Sequence, residues 1–225
     1  MHFPRVPQEL VDAVIDHLHD DKPTLKVCNL VDSSRLISAR HHLFYDIVVT
    51  QRPFVTITPF LDTHPLIATR VHNLHLGPQL NHILSFSTLV AILRYIPNLR
   101  SLNLDRVHLG CSATDPTKLV SDSELFHLES LSVANINTSL IDTYPYSFNL
   151  LLTLFSLFSK VNHLHLSAVV FTRTDLSATL LETYRKLPVE SLHTSLLLPK
   201  HEVIFYSMLD VSHPTPRPCT RRASA

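Results

Sequence analysis

The residues of this chain with the most capacity for chemistry are its sixteen histidines. The tightest sets are His17/His19, His41/His42, His72/His75 and His163/His165. A zinc site wants about four converging ligands, commonly Cys or His at short fixed spacings. His163 and His165 are two residues apart, so on a strand both point to one face. His75 and His193 stand at positions equivalent to His165 in a recurring segment, and Asn103 and Ser132 stand there too. If the segments stack in register, these five residues line one face. Such a row suits either a shared metal site or a solvated polar surface rich in His, Asn and Ser, and the second is the simpler. Catalysis has less to stand on. Ser, His and Asp are abundant, but a G-x-S-x-G elbow is impossible with Gly77 and Gly110 as the only glycines. Cys28, Cys111 and Cys219 are scattered and odd in number. That argues against a disulfide framework and fits a reducing compartment. The expectation is a non-catalytic chain with no metal and no cofactor.

The elements that would position this row form a repeat. Val71–Leu76, Leu99–Leu104, Leu128–Val133, Val161–Leu166 and Val189–Thr194 all read apolar-x-x-Leu-x-apolar, failing only at Thr194. Their starts lie 28, 29, 33 and 28 residues apart. A regular period in this range is the signature of a solenoid. Between them lie stretches with helical spacing: Pro53–Thr63, Ser85–Ile96, the shorter Asp122–Leu128, Tyr146–Ser159 and Asp175–Leu187. Neither strand nor helix can bury its apolar face alone, so neighbours must stack. Asp46–Thr50 is β-branched and reads as extended. Pro199–Val211 is amphipathic and suits a terminal cap.

Ahead of the repeat, residues 6–44 carry three short helical patterns. Pro7 suits the start of a helix and Glu9 suits its first turn. Leu10, Val11, Val14, Ile15 and Leu18 make one stripe. Pro23 stops that helix. A second helix is expected over Thr24–Val31. A third, capped by Asp32, Ser33 or Ser34, carries Leu36, Ile37, Leu43 and Phe44. So small a unit buries little surface alone and calls for a partner or for packing on the rest of the chain.

This stretch resembles an F-box, most closely that of mushroom-type fungal proteins. The matching residues are Val6, Pro7, Glu9 and Leu10, the run Ile15–Asp21, Leu25–Cys28, Leu30-Val31 and Ser38–Phe44. The family usually begins Leu-Pro and carries a tryptophan near the position of Arg35, whereas this chain has Val6-Pro7 and no Trp. The resemblance implies that Val6, Pro7, Leu10, Val11, Val14, Ile15, Leu18, Leu30 and Val31 bind the Skp-type adaptor of a cullin–RING ubiquitin ligase. The repeats resemble degenerate leucine-rich repeats, whose strand face (His75, Asn103, Ser132, His165 and His193) would then select a protein target.

Composition narrows the class further. The chain is 45% hydrophobic and 17% charged, with 19 basic and 19 acidic residues. That balance gives no support for a nucleic-acid surface. The longest apolar run, Phe148–Phe158, is too short for a membrane span. The expectation is an intracellular α/β chain, cytoplasmic and/or nuclear. It divides into an F-box-like helical module over 1–45, a solenoid of about five strand–helix units over 46–211 and a disordered tail over 212–225. It would be a substrate receptor of a Skp–cullin–F-box ligase. The alternative is a repeat scaffold whose F-box-like helices only cap the solenoid.

Overall fold

The computed structural model describes residues 6–31, 33–50, 52–78, 83–110, 125–136, 147–169, 186–195 and 209–211, with the side chains of 29, 31, 33–37 and 147–149 outside that description. The first three helices are α1 (Gln8–His17), α2 (Lys22–Val31) and α3 (Ser33–Tyr45). Pro7 sits just ahead of α1, and its carbonyl accepts from the N–H groups of Leu10 and Val11. Asp21 opens α2: its carboxylate accepts from the Thr24 N–H at 3.1 Å and from the Thr24 hydroxyl at 2.6 Å. Those bonds, the hydroxyl's first, hold the Asp21 carboxyl below its usual range. Helix α2 therefore starts at Lys22, earlier than the expected Thr24, because Pro23 fits a first helical turn. Helices α1 and α3 are tied by Ser38 Oγ donating to Asp12 Oδ1 at 2.5 Å and by His42 Nε2 and Asp16 Oδ1 at 2.8 Å. The module's own core is Ile15, Leu25 and Ala39, with Val11, Leu18, Cys28 and Leu43 leaning on it.

From Tyr45 the chain passes directly into β1 (Asp46–Val49). There follow α4 (Ile57–Thr63), α5 (Pro65–Ala68), β2 (Asn73–Leu76), β3 (Ile83–Ser85), α6 (Phe86–Tyr95), β4 (Ser101–Asp105), β5 (His108–Gly110) and β6 (Phe126–Ala134). The last described elements are α7 (Ser147–Ser156), β7 (Phe158–Ser167), β8 (Leu187–Ser195) and β9 (Leu209–Val211). Seven strands form one parallel sheet in the order β1-β2-β4-β6-β7-β8-β9, so the order in space follows the order in the chain. The fold is α/β, as expected. Leu74, Leu102, Leu131, Leu164 and Leu192 are partners in adjacent strands, and all are buried. They share one continuous core with Leu89, Ile92 and Leu93 of α6 and Leu151, Leu152 and Phe155 of α7. Helix α6 is capped by Ser85, whose Oγ accepts from the Thr88 N–H. Strands β3 and β5 pair as a separate two-stranded sheet.

Several boundaries differ from the sequence reading. Phe126–Leu128, expected to end a helix, opens β6, and Phe158 and Ser159, expected to end another, open β7. Phe126 and Phe158 are register partners, so pairing of the two strands decides both ends. Leu187 and Pro188 likewise begin β8 rather than end a helix. The first inter-strand helix ends at Thr63, as expected, but its helical part starts only at Ile57 after a short 3-10 turn, and Pro65 starts a further short helix, α5. The expected helical residues 175–185, residues 122–124, residues 199–208 of the cap segment, the tail over 212–225, and Cys111 and Cys219 lie outside the described residues. Among the described residues no helix is long and apolar enough to cross a membrane.

With only two glycines, few positions are expected to need positive φ, and among the described residues three have it: Arg106 (φ 53°), Asn135 (φ 54°) and Ala168 (φ 50°). Each directly follows β4, β6 or β7, and each precedes a buried apolar residue: Val107, Ile136 or Val169. Their N–H groups donate to the carbonyls of Ala134, Ser167 and Ser195, the last residues of the next strands. This hydrogen bond and the buried neighbour together hold a backbone that L-residues disfavour. Neither glycine is left-handed. Both sit at close approaches: a Cβ on Gly77 would lie 2.7 Å from Thr50 Cγ2, and one on Gly110 would lie 2.3 Å from Ile83 Cγ2.

Candidate functional site

Two surfaces stand out, one on each part of the chain. The first is the outer face of the helical module. Helix α1 is amphipathic, but its stripe is wider than the module can bury. Ile15 is 2% exposed, and Val11 and Leu18 are half-buried against the core. Leu10 and Val14 are 59% and 60% exposed, and Val6, just ahead of the helix, is 62% exposed. Leu10 and Val14 lie four residues apart, on one line of the helix. Helix α2 adds Val27, 59% exposed, and Leu30, 84% exposed. The nine candidate adaptor contacts therefore divide. Val6, Pro7, Leu10, Val14 and Leu30 face solvent. Ile15 does not belong with them: it fills the module's interior, so as a direct contact it is corrected. Val31's side chain lies outside the description. Val27 was missed, although its three-residue spacing from Leu30 would have placed the two on one face of α2.

The second surface is the sheet face opposite α6 and α7. Strand alternation turns Leu74/Leu76, Leu102/Leu104, Leu131/Val133 and Leu164/Leu166 into the core. The residues between them point the other way. His75, Asn103, Ser132, His165 and His193 are consecutive register partners. At about 4.8 Å per strand this row runs roughly 20 Å. A second row beside it, not anticipated, holds Asn73, Ser101, Ser130, His163 and Ser191.

The rows are internally bonded. Asn103 Nδ2 and His75 Nδ1 lie 3.1 Å apart, within hydrogen-bond distance. Asn103 Oδ1 is buried without a hydrogen-bond partner among the described residues. The His165 and His193 rings stack 4.6 Å apart and 3° from parallel. His163 Nδ1 and Ser191 Oγ are 2.7 Å apart. Lys160 pairs with Glu190 and, with His163 and His127, holds its carboxyl below the usual range. Among the described residues no three His, Cys, Asp or Glu side chains could hold a metal ion together. The face therefore offers hydroxyls, amides and imidazoles to a polar partner.

The module and the sheet meet through aromatic contacts at their junction. Tyr45 stacks on His72 at 4.6 Å, and His41 lies against Tyr45 and His42. Burial, then His42, Arg70 and His72, push the His41 pKa down. No family model, no curated protein and no solved structure matches this chain.

Proposed function

We propose that the chain is a substrate-receptor subunit of a Skp–cullin–F-box ubiquitin ligase. The helical module docks a Skp-type adaptor, and the open sheet face of a leucine-rich-repeat solenoid holds a protein target. The observation that carries this reading is that five apolar side chains, Val6, Leu10, Val14, Val27 and Leu30, are more than half exposed on a module with a thin core. Burying these side chains against a partner is worth roughly 1–2 kcal/mol each. Five such side chains together supply roughly 5–10 kcal/mol, of the same order as the cost of association. Nothing in this role needs an active site, because holding a target near a ligase raises its effective concentration.

The alternative, in which the helices only cap the solenoid, has three observations in its favour. Helix α3 runs into β1 without a linker, Tyr45 stacks on His72, and Lys22 Nζ donates to the Asp46 carbonyl at 3.4 Å. A cap, however, has no use for the exposed stripe on α1. Co-purification with a Skp-type adaptor separates the readings. Docking predicts a complex with the unmutated chain that Leu10→Asp abolishes. No complex with the unmutated chain would leave the capping role.

A further inference from the structure

We draw no further inference here: the strongest candidate, the cluster of His41, His42 and His72 around Tyr45 at the junction of the helical module with the sheet, rests on the lowered pKa of His41 and carries nothing beyond the pH dependence of stability which that shift implies.

Discussion

The helical module and the sheet draw on the same apolar residues and place them differently. In the sheet, alternate strand residues and the inner faces of α6 and α7 merge into one core, and the leucines at equivalent positions are nearly all inaccessible. In the module, three side chains are fully buried and five of comparable size stand in water. A repeat gains stability from its neighbours, so it can devote every inward residue to packing and leave its outer face polar. A three-helix unit of this length has no such neighbour on its outer side. Its apolar stripe is divided between the module's core and its surface, with Ile15 on the inner side and Leu10 on the outer.

This contrast can be broken by mutation, beginning with the largest effect. Leu131→Ala removes a fully buried side chain from a central strand and should cost about 4 kcal/mol, read as a lower urea midpoint of the whole sheet. Ile15→Ala should cost about 2–3 kcal/mol, felt in the module alone. Hydrogen exchange would rise in α1–α3 and stay unchanged in β4 and β6; matching loss in both would merge the two regions into one cooperative unit. Ala168→Gly should raise stability by about 0.5–1 kcal/mol, because glycine adopts the left-handed backbone without strain. Leu10→Asp should change stability by less than about 0.5 kcal/mol, since its side chain is already in solvent. A large loss would move Leu10 from the docking side to the core side.

The smallest effect is in pH dependence at the junction between the regions. The lowered His41 pKa means that the folded chain favours neutral imidazole. An unfolded histidine takes up its proton near pH 6.5. The stabilising contribution is therefore complete above about pH 6.5, falls as pH drops below it, and levels off below the folded pKa. His41→Gln should flatten this slope in urea midpoints measured from pH 7.5 to 5.

Much of the sheet was legible because its strands carry both signals at once: a two-residue alternation within each segment and a repeat of the same segment along the chain. Leu102 and Leu131 declare their burial by that spacing, and the row from His75 to His193 follows from aligning the segments. The ends of α7 and β7 were not legible, because Phe158 satisfies helical spacing from Phe155 and strand pairing with Phe126 equally well. Strands β3 and β5 are three residues each, too short for any periodicity to register. The left-handed exits at Arg106 and Ala168 carry no glycine to announce them; their cause is a hydrogen bond to the next strand. In the module, spacing found the stripe, but which half is buried depends on how α2 and α3 lie against α1.

Titration calorimetry of the full chain with a recombinant Skp-type adaptor tests whether the exposed apolar residues of α1 and α2 form a docking face. Saturable binding with a negative heat-capacity change is expected, as burial of apolar surface requires. A Leu10→Asp/Leu30→Asp double variant should then bind at least about a hundredfold more weakly while its unfolding midpoint stays put. No heat of binding from the unmutated chain, or undiminished binding by the double variant, would contradict it.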